Sequence, residues 1–569
     1  MISLSFLRGL VEFRNQTATL LALLVLSGTL FFFRLGTPGL FDADEPAYAQ
    51  AAREMLETGD WITPHFNGRP RFDKPILFYW LIMLSYRLFG ISEFAVRFWS
   101  ALAGVILVLV IARAARRWLG PPADLLAALA FTLNILTALL ARAAVTDMLL
   151  TLFVTLAVLS GVEALTGSPE QGRGSATLGW AAMGLAVLVK GPVGIVVPAI
   201  ALGGMLVVLR EVRSGLRRLM PWRGLVLFAL ITAPWYALAL AANGWAFVEG
   251  FVIKHHVSRY TGVISSHAGP IWFYLPVVLV GFFPWSGFLL RALWRAGTVA
   301  RGRSAHSPAD RLLVACACWV AGVFVFFSFA GTKLPSYLFP MFPGMALLVG
   351  ASEFASGRVP SWLDRLTGWI FGLTGTVLAV GFGLAPWIVE AVRARAGGVL
   401  DGVVFPGGLA WWLGALVGLG TAAGLVAKGS WRPTVLSAMM GVLIFTAEVK
   451  VAPQVYAVVQ GPLREFTEDA RRILGRQGTL IAYGLNAPTI VFYADHLVLP
   501  LGPGSPDGVE EIRGLVETGQ PVVVITRQVH MARLDGIPGL LCLKVRGGYA
   551  IYSLASRTGA DSQEVRLTS

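Results

Sequence analysis

The chain has 569 residues, of which 56% are hydrophobic and 14% are charged, and its mean hydropathy is +0.69. This composition excludes an ordinary soluble globular protein and indicates a polytopic membrane protein. The net charge of +14 does not imply a nucleic-acid partner, because most Lys and Arg residues lie in loops between apolar runs, as cytoplasmic loops of membrane proteins require.

Thirteen apolar runs are long enough to predict membrane-spanning helices. They lie near residues 16–33, 97–112, 123–141, 147–164, 177–190, 192–209, 223–241, 271–290, 312–330, 334–351, 367–389, 407–427 and 433–449. The first run lacks a small-residue cleavage site, so we expect a retained helix rather than a signal peptide.

The run 75–89 is apolar but barely long enough to span. If it does not span, the Arg-rich loops at 113–117, 210–223 and 291–311 lie on the side of the N-terminus. The positive-inside rule makes that side cytoplasmic. We therefore predict that 45–58 and 75–89 are interfacial helices on the outer membrane face.

This topology places a set of polar residues at the outer ends of spans or in outer loops. They are Asp44, Asp73, Lys74, Asp147, Lys190, His255, His256, Lys333 and Tyr337. Charged groups at membrane depth are costly unless they face water, a partner or a substrate. The shared face predicts one polar site on the outer side.

The acidic stretch Phe41-Asp42-Ala43-Asp44-Glu45 follows the first span directly. Asp44 could be only a helix N-cap, with Glu45 favourable at the positive end of the helix dipole. That interpretation explains one acid but not Asp42. Asp147 allows the same two interpretations, a site residue or a helix-end acid, because an acid that begins a span also interacts favourably with the helix dipole.

The lysines also allow two interpretations. Lys190 and Lys333 each precede a turn with proline, Lys190-Gly191-Pro192 and Lys333-Leu334-Pro335, where a lysine could snorkel from a helix end. Two such corners on one face favour an anion site, since compact ammonium groups suit phosphate. For His256, a solvated loop histidine and a metal-binding or catalytic one both stay open.

From about residue 455 the composition indicates a small α/β domain, 455–556, with a disordered tail at 557–569. The odd number of predicted spans places this domain on the outer side. Its predicted strands are 480–483, 490–493, 522–525 and 541–543, its predicted helices are 462–475 and 507–518, and Gly547-Gly548 suits a hairpin turn. It contains no Gly-rich nucleotide loop, so we expect no nucleotide cofactor.

The motifs together resemble the GT-C membrane glycosyltransferases. They are Asp44-Glu45, Arg53 to Trp61, Phe72-Asp73-Lys74-Pro75, Asp147, Lys190-Gly191-Pro192, Phe273 to Pro276 and Lys333 to Tyr337. Within that class the chain is similar to the protein mannosyltransferase-like group that includes the aminoarabinose transferases of lipid A. The resemblance covers essentially the whole chain. It implies an all-α polytopic membrane domain, 1–454, followed by the external α/β domain.

The resemblance also implies roles for residues. Asp44 and Asp147 match the catalytic acids, and Lys74, Lys190, Lys333 and Tyr337 match positions around a lipid phosphate. Glu45 and Tyr48 match supporting positions in the first outer loop, and Asp73 and His256 match positions near one divalent metal ion. The chain departs from the aminoarabinose enzymes at Ala47, where they usually have Arg, and at Asp73, where they have Glu.

The function implied is transfer of a sugar from a polyprenyl phosphate, in bacteria undecaprenyl phosphate, to lipid A or another envelope glycolipid. The enzyme would be a multi-pass protein of the bacterial inner membrane with its site facing the periplasm, and inversion at the anomeric carbon is expected. A protein Ser/Thr or another glycan stays open as acceptor. A transporter or flippase is the rival class, but transporters usually show internal repeats and midplane sites, and this sequence shows neither.

Overall fold

The fold is described from a computed structural model of the chain. The described residues are 4–262, 268–302, 306–353, 359–393, 406–428, 431–475, 478–502 and 506–554. The predicted disordered tail, 557–569, lies outside this part of the chain.

The N-terminal region is built from α-helices. In chain order they are α1 (Leu4–Phe32), α2 (Asp44–Thr58), α3 (Leu77–Phe89), α4 (Glu93–Trp118), α5 (Ala123–Thr132), α6 (Ile135–Ala141), α7 (Asp147–Thr166), α8 (Pro169–Lys190), α9 (Val193–Val208), α10 (Val212–Leu219), α11 (Trp222–Phe247), α12 (Arg259–Thr261), α13 (Tyr274–Gly281), α14 (Leu289–Arg301), α15 (Pro308–Ser328), α16 (Phe342–Glu353), α17 (Ser361–Gly383), α18 (Ala385–Arg393), α19 (Gly407–Val426), α20 (Trp431–Thr446) and α21 (Ala452–Val459). Irregular helical segments carry the chain at Val248–Ser258 and Ala447–Val451, which are π-helical, and at Pro335–Met341, which is 3₁₀.

Local sequence explains several helix ends. Ser92 caps α4 by accepting a hydrogen bond from the backbone N–H of Ala95, and Ser168 caps α8, which begins with a proline. Gly59 ends α2 and Gly191 ends α8 with φ of 73° and 74°, a left-handed conformation that glycine adopts without steric cost. The turn at Gly191 aims the end of α8, and with it Lys190, at the cavity described below.

Within the described residues, seven helices are long and apolar enough to cross a membrane, or up to nine if each of two bent pairs counts as one span. The pairs are α5 with α6, bent by 66°, and Ile271–Gly281 with Trp285–Arg301, bent by 113°. The sequence did not predict either break. Each of the thirteen predicted runs coincides with helical segments, but several are short, so thirteen spans stays a prediction.

The segment between α1 and α4 contains the predicted interfacial helices. Expected at 45–58 and 75–89, they form as α2 and α3, and between them lies a two-stranded hairpin of β1 (His65–Phe66) and β2 (Arg69–Pro70). Their placement on the outer membrane face stays a prediction. α2 and α3 pack against each other through Tyr48, whose ring lies edge-on to that of Phe78.

The C-terminal region is a small α/β domain. Its elements are α22 (Gly461–Leu474), β3 (Thr479–Tyr483), α23 (Pro488–Ala494), β4 (Val498–Leu501), α24 (Pro506–Glu517), β5 (Val522–Arg527), α25 (Met531–Leu534), β6 (Leu540–Arg546) and β7 (Tyr549–Leu554). The sheet order is β4-β3-β5-β7-β6, with β3 parallel to β4 and β5, and β7 antiparallel to β5 and β6. Apolar side chains on both faces of the sheet form its two cores.

The predicted strand at 490–493 is wrong, because Ile490 to Tyr493 belong to helix α23. A short apolar run does not by itself distinguish a strand from a buried helix. Pro488 in the first turn favours the helix, since its fixed φ and missing N–H suit that position. The other predicted strands lie within β3, β5 and β6, and Gly547-Gly548 forms the predicted turn.

The topology generates a labelling prediction. In a variant without Cys316, Cys318 and Cys542, we expect Arg87→Cys at the end of α3 to react with a membrane-impermeant maleimide only from outside. We expect Arg117→Cys at the end of α4 to react only from inside, because α4 crosses the membrane between them. Reversed labelling would mean that α3 spans.

Candidate active site

One cavity collects most of the site residues predicted from the sequence. It has a volume of about 270 Å³ and lies among the beginnings of α2 and α7, the end of α8, the π-helical segment after α11 and the 3₁₀ segment before α16. Its polar lining consists of Asp44, Tyr48, Arg71, Asp73, Lys74, Thr146, Asp147, Lys190, His255, Arg259, Tyr260, Ser336 and Tyr337. The remaining lining is mainly aliphatic and aromatic.

Glu45, beside Asp44, forms a buried ion pair with Arg97 of α4. Arg97 Nε donates to Oε1 at 2.8 Å and Arg97 Nη2 to Oε2 at 2.7 Å. The same carboxylate accepts hydrogen bonds from the backbone N–H groups of Phe41, at 2.9 Å, and Ala144, at 2.7 Å. Arg97 also donates to three backbone carbonyls, those of Leu35, Pro38 and Gly39. This ion pair fixes the two loops that carry the cavity acids.

Asp44 is the first residue of α2, and Ala43 occupies the cap position. The interpretation of Asp44 as the N-cap is therefore wrong. Its side chain is exposed and lines the cavity. Tyr48, one turn later, is buried, and the guanidinium of Arg71 lies 5.7 Å from the centre of its ring.

Asp147 and Lys190 form an ion pair, with Lys190 Nζ 2.7 Å from Asp147 Oδ1. Asp147 is 5% exposed, so its charge is compensated inside the protein. Lys190 Nζ also lies 5.6 Å from the centre of the Tyr337 ring, and Arg259 Nε donates to the Tyr337 hydroxyl oxygen at 2.6 Å. These four side chains form one connected group on the cavity wall.

Asp73 is held between two basic groups. Arg71 Nη2 lies 2.8 Å from Oδ2, and His255 Nε2 lies 3.0 Å from Oδ1. Burial favours a higher pKa for Asp73, but the His255 hydrogen bond and the charge of Arg71 hold its pKa well below the usual range. Asp73 is therefore ionised at neutral pH.

The expected metal pair was Asp73 with His256. The side chain of His256 lies outside the side chains that the structure describes, and it is His255 that meets Asp73. Among the described residues, no group of three or more His, Cys, Asp and Glu side chains is arranged to hold a metal ion. The divalent ion stays a prediction.

Lys74 follows Asp73 and lines the cavity, where its Nζ donates to the Asp73 carbonyl at 3.0 Å. Burial lowers the pKa of Lys74 to about 8, and the charges of Lys190 and Arg259 act in the same direction. The carboxylates of Asp73 and Asp44 oppose the shift. Lys74 thus lies in a region of positive potential that an anion would relieve.

Lys333 does not line the cavity. It is buried, and its Nζ donates at 2.8 Å to each of two carbonyls, of Ser328 and Ala330, at the end of α15. In this conformation it caps a helix and is not directed at a cavity ligand. The expected phosphate contact of Lys333 stays a prediction that this conformation does not show.

Two charged cavity residues, Arg71 and Arg259, were absent from the predicted site, and His255 was in the predicted outer polar set without an assigned role. Arg71 stands two residues before Asp73, and His255 stands one residue before the histidine that was chosen. Arg259 follows the π-helical segment, a conformation frequent at functional sites. The sequence offered spacing as a signal for Arg71 only, because a π-helix cannot be recognised from apolar periodicity.

Comparison with known proteins shows which families this chain is similar to. A family model described as dolichyl-phosphate-mannose-protein mannosyltransferase matches residues 73–237. The undecaprenyl phosphate-alpha-4-amino-4-deoxy-L-arabinose arabinosyl transferase 1 of Sodalis glossinidius is 33% identical over 422 residues, covering 71% of this chain and 72% of that protein. Its counterpart in Pectobacterium carotovorum is 32% identical over 381 residues, covering 66% and 65%. The chain spans slightly less than two thirds of the length of several such relatives.

Among solved structures, the crystal structure of ArnT from Cupriavidus metallidurans bound to undecaprenyl phosphate is similar, with a TM-score of 0.74 at 25% identity. The match covers 95% of this chain and 99% of that chain. The predicted fold class, a GT-C membrane protein with a small C-terminal α/β domain, is confirmed. The chain belongs to the family of undecaprenyl phosphate-alpha-4-amino-4-deoxy-L-arabinose arabinosyl transferases.

The Glu45–Arg97 pair generates a stability prediction. Arg97→Met leaves a buried carboxylate without its partner, and we expect it to lower the free energy of unfolding by about 3–5 kcal/mol. Denaturant titration of the purified protein in detergent measures this. The control is Arg472→Met, which breaks the exposed pair with Asp469 and should cost about 0–1 kcal/mol. Equal effects of the two variants would contradict the proposed importance of the buried pair.

Proposed function

We propose that this protein transfers a sugar from a polyprenyl phosphate donor, undecaprenyl phosphate in bacteria, to lipid A or another envelope glycolipid at the periplasmic face of the inner membrane. One observation carries the proposal: a single cavity combines an exposed carboxylate, Asp44, with the cations Lys74, Lys190 and Arg259. The names of the family relatives and the undecaprenyl phosphate bound by the similar crystal structure support the same donor class.

The cations suit the phosphate of such a donor. Burial, and after it the nearby charges of Lys190 and Arg259, lowers the pKa of Lys74. The repulsion among the three cations is relieved when an anion enters. Asp147 forms an ion pair with Lys190, and Tyr337 contacts both Lys190 and Arg259. In the proposal the donor phosphate draws Lys190 toward itself, while Asp147 and Tyr337 keep the ammonium oriented.

The apolar side of the cavity suits a polyprenyl chain. It is formed by Val145, Leu150, Val193, Val196, Phe326, Phe327, Ala330, Leu334 and Pro340. These residues come from α7, α9 and α15 and from the segments beside them, helices that the topology places in the bilayer. A lipid could therefore enter from the membrane with its phosphate directed at the cations.

The chemistry is an inverting displacement at the anomeric carbon. A bond forms between an acceptor oxygen and that carbon while the bond to the phosphate oxygen breaks, and its electron pair leaves with the lipid phosphate. The phosphate needs stabilising charge and no acid, and the cavity cations supply it. Asp44 orients the acceptor and takes its proton if the acceptor is a hydroxyl; a phosphate acceptor needs no base.

Two alternatives are separated by experiment. A protein Ser/Thr acceptor would use the same cavity, and mass spectrometry of lipid A and of envelope proteins from a deletion strain distinguishes the two acceptors. A flippase would move donor without transferring sugar, so product formation by purified protein in liposomes excludes it.

The proposed mechanism predicts the effect of a substitution at Asp44. Asp44→Asn removes a charge from an exposed cavity residue without breaking a helix cap, so melting temperature should be unchanged. Transfer from a polyprenyl donor should fall about 100-fold or more. The control is Glu57→Gln on the exposed part of α2, which should retain wild-type transfer. Near-normal transfer by Asp44→Asn would refute the catalytic role.

The proposed phosphate site predicts the effect of a substitution at Lys74. Lys74→Met should weaken binding of a glycosyl phosphodiester about 10- to 150-fold, equivalent to about 1.5–3 kcal/mol for a hydrogen bond to a charged group. In the wild type, affinity should be full below pH 8 and fall as the pH rises through about 8, because only the protonated ammonium attracts the phosphate. In Lys74→Met this dependence should disappear.

Two lysine variants serve as comparisons in that titration. Lys254→Met replaces an exposed lysine of the same π-helical segment as His255 and should leave affinity unchanged. Lys333→Met should lower thermal stability without changing the affinity of the folded protein, since Lys333 caps α15. Wild-type affinity in Lys74→Met would remove Lys74 from the phosphate site.

A further inference from the structure

The loop that carries Asp44 is held from two sides. On one side Glu45 accepts the backbone N–H of Phe41. On the other side the loop touches the C-terminal region, where Asp42 Oδ1 accepts the backbone N–H of Thr489 at 2.8 Å and the backbone N–H of Leu40 donates to the Tyr493 hydroxyl at 3.1 Å. Both partners belong to α23.

The contact extends along the loop and into α4. The ring of Phe41 lies edge-on to Tyr456, with 5.4 Å between ring centres. A side chain at Gly39 would collide with Tyr456 and Arg464, so the chain passes them as closely as a backbone can. The Tyr493 hydroxyl donates in turn to Glu93 Oε1 at 3.0 Å. The C-terminal domain, together with α21 that leads into it, therefore holds the loop between Gly39 and Asp42 in place.

Other contacts of the same domain reach different parts of the outer segment. Asn67 exchanges two hydrogen bonds with the backbone of Val498, at 2.7 and 2.9 Å, and Arg53 of α2 pairs with Asp495. These contacts dock the domain but do not touch the Asp44 loop. They provide a comparison for the contacts that do.

We propose that the C-terminal α/β domain is a positioning part of the active site, and that it holds Asp44 in place through the contacts of Asp42 and Leu40 with α23. This inference rests on the proposed function. Asp42 is a positioning residue, because it acts through the backbone of the loop that also presents Asp44, two residues further on.

Burial supports a measurable signature for this role, since it raises the pKa of Asp42 to about 6, against the hydrogen bond from Thr489. Above that pH the carboxylate is ionised and its bond to the Thr489 N–H is charge-assisted; as the pH falls through about 6 that assistance is lost. From the C-terminal domain, Tyr549 faces Asp42 and Arg527 lies beside Tyr549. On its own side of the contact, Asp42 is followed in the chain by Asp44 and Glu45, and Glu45 is paired with Arg97.

The experiment measures kcat, the KM for donor and the pH profile of purified full-length protein in liposomes, using a synthetic polyprenyl phosphate sugar. The wild type should show an acid limb in kcat near pH 6. Asp42→Ala should lower kcat about tenfold with an unchanged donor KM, because the cations that bind phosphate are untouched. Asp42→Asn, which keeps an acceptor oxygen but cannot titrate, should recover part of kcat and lack the limb.

A second variant and a control keep the test decisive. Tyr493→Phe removes the hydroxyl that accepts from Leu40 and should also lower kcat selectively. Asp495→Asn weakens the docking contact with Arg53 and should leave kcat, KM and the pH profile unchanged. If Asp42→Ala fails to fold, Asp42→Asn and Tyr493→Phe carry the test.

The outcomes separate the two proposals. Absence of sugar transfer by the wild type would refute the proposed function itself. Wild-type transfer with unchanged kcat in both Asp42→Ala and Tyr493→Phe would overturn only the positioning role. An acid limb that persists in Asp42→Asn would assign it to another group and would also overturn the role of Asp42.

Discussion

The buried ion pair between Glu45 and Arg97 is the interaction on which the site depends. Each carboxylate oxygen of Glu45 accepts one N–H of Arg97 and one backbone N–H, and the remaining guanidinium N–H groups donate to three loop carbonyls. A buried ion pair repays its desolvation only when its other hydrogen bonds are also made, and here both groups are satisfied. The geometry of α2, α4 and two loops is therefore set by one pair of side chains.

The catalytic interpretation of the acids follows from where this pair is attached. Asp44 adjoins Glu45 in the chain, and Asp147 lies three residues after Ala144, whose N–H the same carboxylate accepts. A second, half-buried pair, Arg142 with Glu448 at 2.6 Å, fixes the other end of that loop, and Arg142 also donates to carbonyls at the end of α1. Both acids thus stand on backbone that is held rigidly, which supplies the preorganisation that transition-state stabilisation requires.

The sequence predicted the composition of the site better than its geometry. Residue type, position at a helix end and the number of preceding spans sufficed to group five residues of the cavity. The grouping depends only on which membrane face a helix end reaches. The five are Asp44, Lys74, Asp147, Lys190 and Tyr337. Side-chain direction was not predictable in the same way. Lys190 and Lys333 precede similar turns, yet Lys190 faces the cavity and Lys333 caps the preceding helix, α15. The difference depends on the carbonyls that the end of α15 leaves unpaired. Arg97 could have been found from the sequence, because an arginine at the start of an apolar run is costly without a partner.

The charge arrangement explains how acids and a phosphate can share one cavity. Asp73 is neutralised by Arg71 and Asp147 by Lys190, so neither repels an incoming anion strongly. Lys74 and Arg259 then leave the cavity with positive potential. Burial is the main cause of the lowered pKa of Lys74, and the charges of Lys190 and Arg259 add to it. Asp44 is the exposed acid. In the proposed mechanism its negative charge meets the opposite requirement, the stabilisation of a sugar that becomes positive as its phosphate departs. Pairing two carboxylates and exposing the third suits the cavity to both proposed functions, because the paired acids orient cations and the exposed one is left accessible to a substrate.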